Sequence, residues 1–239
     1  ATYNNLYLEL RRRLRAAGAQ GAALEARELL CYAADKSREP FYRDLPLYAS
    51  DEIQARAEEL LERRLRGEPV AYLIGEWEFY GLPLDISPDV LVPRTDTEVL
   101  AGRAIELARA AGPGARVLDL CAGSGCVGLA VAANAPECRV VLADLSEGAL
   151  RLCRQNVRRN QLSGRVSCLL ADARRPPASA LGEFDVIACN PPYIPTGDLA
   201  GLDISVRGYE PMLALDGGED GLEFYRAVGA KWRAALRPG

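Results

Sequence analysis

Asn190-Pro191-Pro192-Tyr193 closes the apolar run Phe184 to Cys189 with an amide, two imino acids and an aromatic ring, and no flexible spacer. Pro192 confines Pro191 to an extended backbone, which keeps the Pro191 carbonyl exposed beside the Asn190 carboxamide. Two fixed oxygens of this kind can accept hydrogen bonds from both N–H groups of a planar, amide-like nitrogen. They orient that nitrogen and favour its pyramidalisation as it becomes positive. Methyl transfer from a sulfonium centre to nitrogen is such a reaction, and Tyr193 can lie against the flat face of the acceptor. The departing proton becomes acidic only after transfer, so no general base is needed. The chain has no histidine, the usual acid–base side chain and metal ligand. A plainer alternative is a rigid strand exit, with Asn and Pro as ordinary turn formers.

A second group of residues supplies a place for a methyl donor. The run Asp119-Leu120-Cys121-Ala122-Gly123-Ser124-Gly125, with Gly128, forms G-x-G-x-x-G after an apolar strand. Glycines there let backbone approach a ligand, and the next helix offers its N–H groups to an anionic end. The spacing alone fits a dinucleotide fold, a methyl-donor fold or a tight turn. Asp144 ends the second apolar run, where a carboxylate can accept both ribose hydroxyls, and Asp172 ends the third, suited to an adenine amino group. Each Asp alone could be a helix cap or turn former; three strand ends in series favour a site. A nicotinamide dinucleotide would satisfy the glycines and Asp144. Hydride chemistry has no support here, since the only Tyr-x-x-x-Lys, Tyr32 to Lys36, lies in the N-terminal helices. S-adenosylmethionine fits better, needs no metal, and gives the Asn190 segment a purpose.

These residues require an α/β framework. ARVLDL, RVVLAD, RVSCLLAD and FDVIACN read as buried strands, with GCVGLAVAANA and SEGALRLCRQNVRRN as crossover helices. Such alternation predicts a mostly parallel sheet covered on both faces. Before it, VLVPRTDTEVLAGRAIELARAAG predicts a helix capped by Thr95 or Asp96, with Val99, Leu100, Ala104, Ile105, Leu107 and Ala108 on its apolar face. EWEFYGLPLDIS predicts a hairpin around Gly81. Its Phe79 and Tyr80 either wall the pocket or form hairpin core. Residues 4–66 read as helices, the third capped by Ser50. Arg11-Arg12-Arg13 suits an RNA grip or an exposed helix face.

With 239 residues the chain can bury a full core. No charged-then-apolar leader opens it, no apolar stretch reaches membrane-spanning length, and a net charge of −4 argues against a broad nucleic-acid footprint. Its seven cysteines form no C-x-x-C pair and no zinc spacing, so reduced thiols and a cytoplasmic location are expected.

NPPY after the fourth strand, with D-x-C-A-G-S-G after the first, resembles the class I amino-group methyltransferases. GEPVAYLIGEWEFYGLPLDISPDVLVPRTDTE, NPPYIP and VRGYEPMLALDGGEDGLEFYR together resemble the HemK-like release-factor glutamine N5-methyltransferases over nearly the whole chain. The resemblance implies a helical substrate-recognition domain (1–74), a hairpin linker (75–94) and a Rossmann-like methyltransferase domain (95–239). It implies that S-adenosyl-L-methionine is converted to S-adenosyl-L-homocysteine as the Gly-Gly-Gln glutamine of peptide chain release factors is methylated. A ribosomal-protein glutamine, or an adenine N6 in DNA, is the alternative acceptor; no stable nucleic-acid or membrane partner and no metal are expected. The implied donor site comprises Cys121, Ala122, Gly123, Ser124, Gly125, Asp144, Asp172, Ala173 and Asn190. The implied substrate site comprises Asn190, Pro191, Pro192 and Tyr193, with Asn190, Pro191 and Tyr193 catalytic. Arg94 and Asp96 are expected to brace the site's entrance. Cys121 stands where the family commonly has glycine, a change its small size should tolerate. The chain stops at Leu236-Arg237-Pro238-Gly239, where the family continues into further strands of a seven-stranded sheet, so C-terminal strands are expected to be missing and a sheet edge exposed.

Overall fold

A computed structural model describes residues 1–238. The chain divides into two compact units, Ala1–Gly75 and the remainder from Glu76. The first is helical: α1 (Tyr3–Ala16), α2 (Ala22–Ala34), α3 (Arg38–Arg43), α4 (Asp51–Leu65) and α5 (Val70–Ile74). Thr2 and Ser50 accept hydrogen bonds from the Asn5 and Ile53 N–H groups and so cap α1 and α4. Leu10, Leu14, Leu29, Leu30, Phe41 and Leu61 make the core. Two of the three consecutive arginines are engaged within this unit: Arg12 pairs with Glu9, and Arg13 with Glu58 and Glu62. The short α3 and α5 carry too few turns to show a period. Pro69 opens α5, and Gly75 ends it at φ 76°.

The second unit opens with an antiparallel hairpin, β1 (Glu76–Phe79) and β2 (Leu82–Asp85). Tyr80 and Gly81 both have positive φ, the turn that matches strand twist. Next comes α6 (Thr97–Ala111), and here the expected apolar face needs correction. Val99 is 78% and Leu107 40% exposed, while the buried stripe is Ala101, Ala104, Ile105 and Ala108. Alanines narrow the buried face where α6 packs on the next helix. Neither Thr95 nor Asp96 caps α6 through its side chain; backbone carbonyls of Arg94, Thr95 and Asp96 receive the first N–H groups.

The main sheet contains β3 (Arg116–Leu120), β4 (Arg139–Asp144), β5 (Val166–Leu170) and β6 (Val186–Cys189), all parallel, in the order β5-β4-β3-β6. Crossover helices α7 (Cys126–Asn134) and α8 (Glu147–Arg159) join β3 to β4 and β4 to β5. Strand order therefore reverses between β3 and β6, which opens a crevice at their carboxyl ends. Beyond β6 lie α9 (Ile204–Arg207) and α10 (Glu223–Lys231). At the start of β6, the Phe184 N–H donates to Ala235 and the Phe184 carbonyl accepts from Arg237, forming one parallel bridge with the C-terminal segment. Phe184, Phe224 and Trp232 fill the core on this side of the sheet.

Gly128 sets the closeness of α7 to the sheet. A Cβ there would lie 2.2 Å from Leu142 Cδ2 and 3.0 Å from Asp119 Cβ. Gly128→Ala is expected to destabilise the fold by about 1–3 kcal/mol, read as a lower denaturant midpoint with an unchanged slope. An unchanged midpoint would mean that α7 can lift from the sheet without loss.

Candidate active site

The carboxyl ends of all four parallel strands border one cavity of about 220 Å³. Nine of the residues expected from sequence line it: Cys121, Ala122, Gly123 and Ser124 after β3, Asp144 at the end of β4, Asp172 and Ala173 after β5, and Asn190 and Pro192 after β6. Gly125 stands behind this surface as the N-cap of α7 at φ 84°, where a Cβ would meet Leu142 and Leu129. Pro191 is buried outside the lining, and Tyr193 is 56% exposed. Phe79 and Tyr80 do not line the cavity; Phe79 is core and the Tyr80 N–H donates to Glu98. Arg94 lines it, whereas Asp96 does not.

Backbone and carboxylates hold the glycine loop together. Asp144 accepts from the Gly123 N–H at 2.8 Å and from the Ser146 N–H at 2.9 Å, one through each oxygen. Each oxygen keeps a second lone pair for a ligand hydroxyl. Burial raises the Asp144 carboxyl above its ordinary value, and these two N–H groups oppose the rise. The Ser124 carbonyl accepts from the fully buried Asn156, whose amide also exchanges two hydrogen bonds with the Asp85 backbone. One asparagine thus ties the hairpin to the glycine loop. Cys121 adopts φ 64°. Size is not what matters at this position; a left-handed cysteine costs about 1–2 kcal/mol, which glycine would not incur.

At the opposite wall, Asp172 accepts from the Arg174 backbone and side chain, which hold its carboxyl below the ordinary value. The Ala173 carbonyl accepts from the Trp232 indole at 3.0 Å. The Asn190 carboxamide makes no hydrogen bond to another side chain or to backbone among the described residues, and it borders the same cavity as the glycine loop. Apolar Leu145, Ala171, Leu213 and Phe224 also line it. A flat heterocycle between apolar walls, a diol at Asp144 and a nitrogen at Asn190 match this set of donors and acceptors. Among the described residues no cluster of His, Cys, Asp or Glu could hold a metal ion, and all seven cysteines are free thiols.

Several of these positions were not anticipated. Asp119 and Phe224 line the cavity, and Asn156, Trp232 and Glu210 are hydrogen-bonded to the lining residues Ser124, Ala173 and Arg94. Asp119 carried a signal, being a carboxylate inside an otherwise apolar strand; the others lie far in sequence from their partners.

A family model described as PrmC N-terminal domain matches residues 5–75, and one described as Methyltransferase small domain matches residues 97–202. The Geobacter sulfurreducens protein named release factor glutamine methyltransferase is 40% identical over 93% of this chain and 76% of its own length. The chain belongs to the release factor glutamine methyltransferase family. The members of that name from Thermodesulfovibrio yellowstonii and Agrobacterium fabrum are 37% and 36% identical, over 85% and 96% of this chain and 72% and 80% of theirs. Among solved structures, the hMettl16 catalytic domain in complex with a MAT2A 3′UTR hairpin shares the fold at a TM-score of 0.53. It is 17% identical, over 79% of this chain and 66% of that one. The chain is thus a methyltransferase of the Rossmann-like class.

Family membership sharpens interest in Asp119, which is 2% exposed, lines the cavity and accepts from the Gly128 N–H at 2.8 Å. Burial pushes its carboxyl up to about 7; the Gly128 N–H opposes this and the Asp144 charge adds to it. Between the ordinary value of 3.8 and about 7, the folded chain holds a proton that the unfolded chain releases. Stability from this group is therefore present at low pH and is lost as pH rises through that window. Melting temperatures of the unliganded wild type and Asp119→Asn should diverge between about pH 4 and 7, the variant gaining, and the difference should level off above that. A constant difference across that range would contradict the assignment.

Proposed function

We propose that the chain transfers the methyl group of S-adenosylmethionine to the side-chain amide nitrogen of the glutamine in the Gly-Gly-Gln loop of peptide chain release factors, releasing S-adenosylhomocysteine. The observation that carries this is the Asn190 carboxamide, without an internal side-chain partner, on the wall of the cavity floored by the glycine loop and Asp144. The names of the relatives support the choice of substrate.

When bound, the donor supplies an electrophilic methyl on a sulfonium. The chain's own residues hold and orient. Asp144 accepts from the ribose hydroxyls, residues Cys121 to Gly125 receive the amino-acid end, and Asp172 with Ala173 meets the adenine edge. Asn190 Oδ1 accepts one N–H of the glutamine amide. The Pro191 carbonyl accepts the other; it is bonded to the ring nitrogen of Pro192, which lines the cavity. With both N–H groups engaged, the nitrogen lone pair would face the methyl and fixed oxygens would meet its developing positive charge. The C–N bond would form as the C–S bond breaks, and the proton then lost from nitrogen would leave to solvent at the mouth. Tyr193 covers the acceptor's flat face at the mouth. The apolar lining excludes water. The helical unit 1–74 recognises the release factor, with the hairpin segment 75–94 as linker. A cytoplasmic location belongs to this proposal, supported by the release-factor names of the relatives; separately, among the described residues no helix is long and apolar enough to cross a membrane.

Labelled donor offered with a release factor, intact ribosomes or DNA separates the acceptors. Label in the release factor supports the proposal; label only in ribosomal protein, or label abolished by nuclease, rejects it.

A further inference from the structure

Glu210 lies outside the groups assigned above, yet it joins the two halves of the site. Its side chain is 2% exposed. One oxygen accepts from the Val92 N–H at 2.9 Å and the other pairs with the Arg94 guanidinium. Val90, Leu91, Pro93 and Arg94 form one wall of the cavity, and Pro211, Leu213 and Ala214, just after Glu210, line it too.

The same segment then reaches the residues that follow Tyr193. The Leu215 carbonyl accepts from the Ile194 N–H, the Gly217 N–H donates to the Ile194 carbonyl, and the Thr196 N–H donates to the Gly218 carbonyl. The Thr196 hydroxyl also donates to Asp216 at 2.7 Å. Contact is tight: a Cβ on Gly217 would lie 2.7 Å from Tyr193 Cα, and one on Gly221 would lie 2.4 Å from the Tyr193 carbonyl oxygen. Residues 210–221 are fastened at one end to the Val90–Arg94 wall and at the other to the segment that follows Tyr193.

We infer that Glu210 is a positioning residue whose carboxylate, through Arg94 and the Val92 N–H, fixes the separation of the Val90–Arg94 wall from the Asn190–Tyr193 loop. The inference rests on the methyl-transfer reading given above. Methyl transfer needs nitrogen, carbon and sulfur in line, and a misplacement of about 1 Å can cost about 10²-fold in rate. A buried carboxylate with two donors is a stiff joint, because breaking either bond leaves one of its oxygens charged, buried and unpaired. Glutamine at 210 keeps the size but offers only one oxygen, and its NH2 faces either Arg94 or the Val92 N–H.

The test measures single-turnover methyl transfer to a release factor and, separately, binding of S-adenosylhomocysteine. Glu210→Gln is expected to lower the transfer rate about 10- to 100-fold. Its dissociation constant for S-adenosylhomocysteine should change by less than about threefold, under 1 kcal/mol, because Asp144, Asp172 and the glycine loop are held by other elements. Arg94→Gln should give the same split to a smaller degree, and the double variant should fall no further than Glu210→Gln, since both act through one joint. A wild-type rate in Glu210→Gln, parallel losses of rate and affinity, or losses that add in the double variant would overturn the inference. If Glu210→Gln fails to fold, Arg94→Gln decides alone, since its side chain is 41% exposed; an unchanged rate there overturns the inference. Wild-type protein that binds S-adenosylhomocysteine but leaves the release factor unmethylated would instead reject the underlying function.

Discussion

Asn190→Ala is expected to lower methyl transfer by about 10²–10³-fold, the scale seen when one preorganised hydrogen-bonding partner of a transition state is removed. The loss should fall on the chemical step. Asn190 follows β6 and borders the cavity, while the loop and carboxylates proposed to hold the donor lie at the ends of β3 and β4 and after β5. Binding of S-adenosylhomocysteine should therefore weaken by no more than one neutral hydrogen bond, about 0.5–1.5 kcal/mol. Folding should be little affected, since the carboxamide bonds to no other group among the described residues. Calorimetry and single-turnover rates on the same preparation check both halves. Equal losses of affinity and rate would mean that Asn190 serves the donor, with no acceptor role.

Asp144→Ala should produce the opposite division. Two charge-assisted hydrogen bonds to a diol contribute about 1.5–3 kcal/mol each, so the dissociation constant for S-adenosylhomocysteine should rise by 10²-fold or more. A second effect adds to it. Asp144 also holds the Gly123 and Ser146 N–H groups, and without it the glycine loop loses its tether to the end of β4. Asparagine should rescue little, because its NH2 would oppose one of those two N–H donors. Affinity within about threefold of wild type, under 1 kcal/mol, would remove the ribose from the end of β4 and leave the cavity without an assigned diol site.

Much of the cavity lining after β3, β4 and β5 was legible in sequence because its polar groups stand near the ends of apolar runs. Asp144 closes β4, whose four preceding residues are Val, Val, Leu and Ala; Asp172 follows β5 by two residues, and the glycines fall where β3 gives way to α7. The hairpin was legible for a similar reason: Gly81 interrupts two alternating runs. What sequence did not convey depends on pairs brought together by the fold. Arg94 and Glu210 are 116 positions apart, Asp85 and Asn156 are 71, and Ala173 and Trp232 are 59. No local pattern links such pairs. The apolar face of α6 misled because periodicity ranks Val99 and Leu107 above alanine, whereas the contact with α7 admits only a narrow stripe. Cys121 misled differently. Side-chain volume was weighed there, but the backbone sets the constraint, through a left-handed φ.

The central claim is that two fixed oxygens, from Asn190 and Pro191, present a glutamine side-chain nitrogen to the donor's methyl group. Its most direct test is fragmentation mass spectrometry of a release factor after incubation with this protein and S-adenosylmethionine. The expected result is one methyl group on the side-chain nitrogen of the Gly-Gly-Gln glutamine, absent when Asn190→Ala replaces the wild type. Methyl on any other residue, or on that glutamine to the same extent with Asn190→Ala, would contradict it.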